Sequence, residues 1–120
     1  MKKILVAEDN PVNRELIREI LSEGEYDVIE ACDGQEALDK ITQTSPDLVL
    51  LDIQMPVLDG YAVLSRIREN PPSPPPRVIA LTAYAMRGDR ERALAAGFDD
   101  YVTKPIDLKT LTSKIGEHLG

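Results

Sequence analysis

The sequence predicts an α/β fold in which five strands alternate with five helices, a doubly wound (βα)5 arrangement around a five-stranded parallel sheet. Three observations carry this. Short runs rich in leucine and β-branched residues recur five times along the 120 residues. Segments with helical apolar spacing separate them, and the run at 48–51 is apolar throughout, as in a strand buried on both faces. KILVA (3–7) is the first strand; Asn10 then stands where a helix cap belongs and Pro11 at a first helical position, ahead of a helix that places Val12, Leu16, Ile20 and Leu21 on one face and stops near Gly24. YDVIEA (26–31) is the second strand, followed by a helix through Ala37, Leu38 and Ile41. LVLL (48–51) is the third; Asp59 and Gly60 read as turn residues before a helix through Val63, Leu64 and Ile67. NPPSPPP (70–76) has too many prolines to continue a helix and reads as an exposed connector to VIALT (78–82). A helix over 87–96, stopped by Gly97, leads to DYVT (100–103), and the last helix runs over 108–119.

At 42% hydrophobic and 29% charged, this length suits one domain over residues 1–120. The single Cys32 has no partner for a disulfide, and neither a leader nor an apolar run near the roughly 18 residues of a membrane span is present. A soluble, cytoplasmic protein without a membrane association is expected. The net charge of −7, with basic residues dispersed, argues against direct nucleic-acid binding.

Open parallel sheets carry their functional groups beyond the carboxyl ends of the strands. Glu8 and Asp9 follow the first strand, Asp52 the third, Thr82 closes the fourth, and Lys104 with Pro105 follows the fifth. The second strand contributes nothing obvious, which suits a sheet edge. Carboxylates sharing one crevice repel, a pair about 4 Å apart by on the order of 4 kcal/mol at an effective dielectric near 20. Oxygen donors without His or Cys suit a hard divalent ion such as Mg²⁺, and Lys104 supplies a second positive charge. A carboxylate beside a divalent ion, a lysine and a hydroxyl can receive a phosphoryl group, with Asp52 as the acceptor.

The segments AEDN, LVLLDIQMPVLDG, ALTA and YVTKP, in that order and spacing, resemble the receiver domain of bacterial two-component response regulators, over essentially the whole chain. The resemblance implies a flavodoxin-like sheet of order 2-1-3-4-5. It implies that Asp52 is the phosphoacceptor and that Glu8, Asp9, Asp52 and the backbone carbonyl of Gln54 serve Mg²⁺ or Mn²⁺. It further implies that Thr82 binds the phosphoryl group, Lys104 pairs with the acylphosphate, the Lys104–Pro105 bond is cis, and Tyr101 is a switch aromatic. Gln54 and Tyr84 would flank the water that hydrolyses the phosphoaspartate, and Ala85, Met86 and Ile106 would lie near the responding face. The phosphodonor would be a sensor histidine kinase or a histidine phosphotransfer protein, and the output a change in protein contacts with a target the sequence does not name. No effector domain is read within the 120 residues, so the expectation is a single-domain regulator, favoured by Met1, or a piece of a larger protein.

Each residue also has an ordinary reading. Glu8 and Asp9 could favour a helix N-terminus, Thr82 could be a strand residue, and Lys104 a solvated lysine. Asp52 resists such a reading, because ending a buried apolar strand in a carboxylate costs desolvation. His118, Cys32 and the methionines carry no motif. A flavodoxin-type electron carrier would want a phosphate-cradling loop where EDNPVN stands. A phosphatase of the haloacid dehalogenase type would want a second acid at the position of Gln54. A degenerate receiver used only for docking would lack the acids or the lysine.

Overall fold

The computed structural model describes residues 1–72, 75–83 and 88–119. Its strands are β1 (Lys2–Ala7), β2 (Tyr26–Ala31), β3 (Leu48–Asp52), β4 (Arg77–Thr82) and β5 (Asp100–Thr103). They alternate with α1 (Pro11–Ser22), α2 (Gly34–Thr44), α3 (Gly60–Glu69), α4 (Asp89–Ala96) and α5 (Leu108–Leu119). All pairings are parallel, in the order β2-β1-β3-β4-β5. The expectations for Tyr84, Ala85, Met86 and a helix start at Arg87 lie outside the described residues. No helix among the described residues is long and apolar enough to cross a membrane.

The pleat sorts the central strands into two cores. Leu5, Val49, Leu51, Val78 and Ala80 face α2, α3 and α4 through Ala37, Ile41, Val63, Leu64, Ile67 and Ala93. Ile4, Val6, Leu48, Leu50, Ile79 and Leu81 face α1 and α5 through Ile17, Ile20, Leu21, Leu111 and Ile115. β3 is buried along its whole length, which is why it reads as an unbroken apolar run, whereas edge strand β2 is only half-buried.

Two details differ from the sequence reading. The buried stripe of α1 is Ile17, Ile20 and Leu21, so Val12 (71% exposed) and Leu16 face solvent. Asp59 is a helix cap rather than a turn residue, its carboxylate accepting the Ala62 N–H at 2.8 Å. Asn10 and Asp33 cap α1 and α2 in the same way, so three helices start beside the carboxyl ends of the strands, each cap contributing about 1 kcal/mol.

The loop between β3 and α3 is held by close backbone approach. A Cβ at Gly34 would collide with the Leu58 carbonyl, and one at Gly60 would stand 2.7 Å from the Asp52 carbonyl oxygen. Gly60 N–H donates to Ile53 O at 2.8 Å and Ile53 N–H to Leu81 O at 2.9 Å. At the loop tip, Val57 sits in the left-handed region, φ 71°, and is 74% exposed.

Candidate functional site

The buried polar side chains among the described residues are Glu8 (0% exposed), Asp52 (1%) and Thr82 (3%). All three stand at the carboxyl ends of strands, following β1 and closing β3 and β4. Each emerges from an apolar strand whose pairing fixes its height: Asp52 lies opposite Leu81, and Thr82 opposite Thr103.

Lys104 ties the group together. Its Nζ donates to Asp52 Oδ2 at 2.8 Å and stands 2.7 Å from Glu8 Oε2. Its main-chain N–H donates to Thr82 O at 2.7 Å, and its bond to Pro105 is cis. Asp52 Oδ1 accepts the Gln54 N–H at 3.0 Å, and Glu8 Oε1 accepts the Asn10 N–H at 3.3 Å. Asp9 is exposed, and one carboxylate oxygen from each of Glu8, Asp9 and Asp52 lies within 4.8 Å of the others. Tyr101, half-buried on β5, has its phenol close to the Thr82 hydroxyl.

The electrostatics are those of a site short of positive charge. Burial pushes the Glu8 carboxyl above the usual range and the charge on Asp52 adds to this, with Lys104 opposing. Burial works against the charge on Lys104, yet its contacts with Asp52 and Glu8 prevail and hold it above the ordinary lysine range. Burial also raises the Tyr101 phenol, helped by the nearby acids Asp89 and Glu91 and opposed by the Thr82 hydroxyl. Glu8 Oε2 is buried and, although Lys104 stands close, no hydrogen bond of proper geometry reaches it. A buried, unsatisfied carboxylate oxygen among three acids and one ammonium fits a divalent cation with oxygen ligands.

Residues 4–116 match the response regulator receiver domain family. The chain belongs to that family. It is 36% identical to the polar-differentiation response regulator DivK of Brucella anthropi, over 99% of this chain and 97% of that protein. It is 43% identical, over 98% of its length, to part of the hybrid signal transduction histidine kinase I of Dictyostelium discoideum, of which it spans only 7%. Among solved structures, the receiver domain of sensor histidine kinase PA1611 from Pseudomonas aeruginosa, with a magnesium ion coordinated in its active-site cleft, superposes with a TM-score of 0.89 at 38% identity, covering 99% of this chain and 98% of that one. A chain from the co-crystal structure of the Saccharomyces cerevisiae histidine phosphotransfer signaling protein Ypd1 and the receiver domain of its downstream response regulator Ssk1 gives 0.90 at 31%, covering 98% and 88%. The receiver is thus a two-component signalling switch of the flavodoxin-like fold.

The structure brings together Glu8, Asp9, Asp52, Lys104 and the Gln54 backbone, with Thr82 buried at the same rim and Tyr101 near it. Sequence reading missed Arg14, whose guanidinium binds the main chain of the acidic pair. A helix residue reaching backward to carbonyls has no motif to announce it.

Proposed function

We propose that this receiver, a single domain over residues 1–120, takes a phosphoryl group from a phosphohistidine onto Asp52 and uses the modified aspartate to change its protein contacts. The observation that carries the reading is that the buried polar side chains among the described residues all stand at one rim of the sheet, with Lys104 bridging two of them. An Asp52 oxygen attacks phosphorus, the P–O bond forming as the P–N bond breaks with its electron pair going to the donor ring, which leaves as neutral imidazole because its other nitrogen already carries a proton. Lys104 and the Gln54 N–H hold the carboxylate in place for that attack. Glu8, Asp9, Asp52 and the Gln54 carbonyl would hold Mg²⁺, or Mn²⁺ with the same hard-oxygen preference, which when bound offsets the charge of the phosphoryl oxygens. The domain catalyses both its own phosphorylation and the later hydrolysis.

The Thr82 hydroxyl, which lies close to the Tyr101 phenol, is the group the new phosphoryl oxygens would attract. A charge-assisted bond is roughly twice as strong as a neutral one, so phosphorylation draws Thr82 from Tyr101 and shifts the balance of ring positions on β5. The donor is a sensor histidine kinase or a histidine phosphotransfer protein. Support comes from exposed Val12, Leu16 and Leu108, which with Ile106 line the α1 and α5 side of the rim, Leu16, Ile106 and Leu108 bordering a groove of about 340 Å³. We place the module in the cytoplasm, where the exposed thiol of Cys32 stays reduced.

The test is intact-mass measurement after incubation with Mg²⁺ and acetyl phosphate. Wild type gains one phosphoryl group, whereas Asp52→Asn and chelated wild type gain none. Equal labelling of wild type and Asp52→Asn would overturn the assignment.

A further inference from the structure

Arg14 is the fourth residue of α1, and its guanidinium points back beneath the loop that carries the acidic pair. Nη1 donates to the carbonyl oxygen of Glu8 at 2.9 Å and approaches that of Asp9 at 3.4 Å. Nε stands 3.6 Å from Glu30 Oε1, and Arg18 Nη1 holds the other oxygen of Glu30 at 3.2 Å. Glu30 lies on β2 opposite Val6 of β1. One side chain therefore joins the first helix, the edge strand and the main chain of both acids. Among the described residues, its bonds to Glu8 and Asp9 go to carbonyls and not to carboxylates.

From this we infer that Arg14 is a positioning residue for the divalent-cation site: it orients Glu8 and Asp9 through their peptide planes without touching the cation. The inference rests on the proposed Mg²⁺ site. Two consecutive residues that both offer side chains to one ion need a fixed backbone between them, because the direction of each Cα–Cβ bond follows from its peptide planes. Glu8 is buried, whereas Asp9 is exposed, so packing constrains Asp9 less and its orientation leans more on the main chain. A lysine ammonium gathers its donors on one freely turning nitrogen, whereas the planar guanidinium presents Nη1 to the carbonyls and Nε to Glu30 from separate atoms in a fixed geometry.

Charge and positioning predict opposite signs. A guanidinium near a cation site repels the cation, so if Arg14 acted through its charge, removing it would tighten Mg²⁺ binding. If it acts through the backbone, removal loosens binding, with a loss of about tenfold, as for other residues that orient metal ligands. The experiment is titration of the metal-free full chain with Mg²⁺, followed by amide chemical shifts, for wild type, Arg14→Ala, Arg14→Lys and Arg18→Ala, each with a thermal melt in chelator. Arg14→Ala should weaken binding about tenfold, Arg14→Lys should fall between it and wild type, and Arg18→Ala, which removes equal charge from the same Glu30, should leave the affinity unchanged or slightly tighter. Unchanged or tighter binding by Arg14→Ala overturns the inference, as does an equal loss in Arg18→Ala. If Arg14→Ala fails to fold, Arg14→Lys decides, and wild-type affinity there overturns it. A wild type that shows no Mg²⁺ response would instead overturn the cation site itself.

Discussion

Replacing Lys104 by methionine keeps most of the apolar stem and removes the charge that stands 2.7 Å from Glu8 and 2.8 Å from Asp52. What remains is two buried carboxylates with oxygens within 4.8 Å of each other. At an effective dielectric near 20, unit charges at that separation repel by about 3.5 kcal/mol, a repulsion present in wild type as well but there offset by the ammonium and left uncompensated by the substitution. That agrees with the roughly 3–5 kcal/mol lost when one partner of a buried ion pair is removed. Lys104→Met should therefore lower stability by about 3–4 kcal/mol in urea denaturation at neutral pH with chelator present. The same substitution made in a Glu8→Gln, Asp52→Asn background should cost less than about 1.5 kcal/mol, since no carboxylate charge is left on those two residues and methionine fills similar space. Equal losses in the two backgrounds would refute the electrostatic account and assign the lysine a packing role.

Three further outcomes are expected. Val57→Gly should raise stability by about 1 kcal/mol, near 4 °C in melting temperature, because a β-branched residue at φ 71° is strained and its exposed side chain gives up little packing; an unchanged or lower melting temperature would count against that strain. Leu16→Glu should slow transfer from a phosphorylated histidine phosphotransfer protein more than tenfold, roughly the loss of one buried leucine at an interface, while leaving the rate with acetyl phosphate unchanged; equal effects on both donors would remove α1 from the docking surface. Burial pushes the Asp100 carboxyl up, but hydrogen bonds from His118, Lys114 and the Tyr101 N–H hold it below the usual range. A depressed carboxyl stabilises the fold above its unfolded pKa and loses that contribution as the pH falls through its folded value. Asp100→Asn should thus cost stability at neutral pH, and the gap to wild type should close below about pH 4, as urea midpoints at the two conditions will show.

The parts legible in the sequence are those where one chemical conflict stands out locally. Asp52 after four apolar residues is such a conflict, and the strand-end positions of Glu8, Asp9, Thr82 and Lys104 follow once the strands are placed. The strand order was not legible from periodicity and came with the family resemblance. Periodicity also misplaced the buried stripe of α1, because Leu16 and Ile17 are adjacent and either could belong to an apolar face; only packing against Ile4 and Val6 selects Ile17. The reach of Arg14 to Glu8 and the nearness of Tyr101 to Thr82 are contacts between elements, and His118 on Asp100 joins residues 18 apart. Nothing in the local sequence encodes such distances.

The backbone contact at Gly34 leaves no slack. Because even a methyl group would collide with the Leu58 carbonyl, the start of α2 and the segment that follows the acceptor aspartate cannot slide closer to one another. Gly60 is also close to Asp52, from the other side, where a Cβ would stand 2.7 Å from its carbonyl oxygen. A displacement of the segment toward either neighbour would meet backbone at these two points. The fold thereby sets the region beside Asp52 in direct backbone contact with the starts of both α2 and α3.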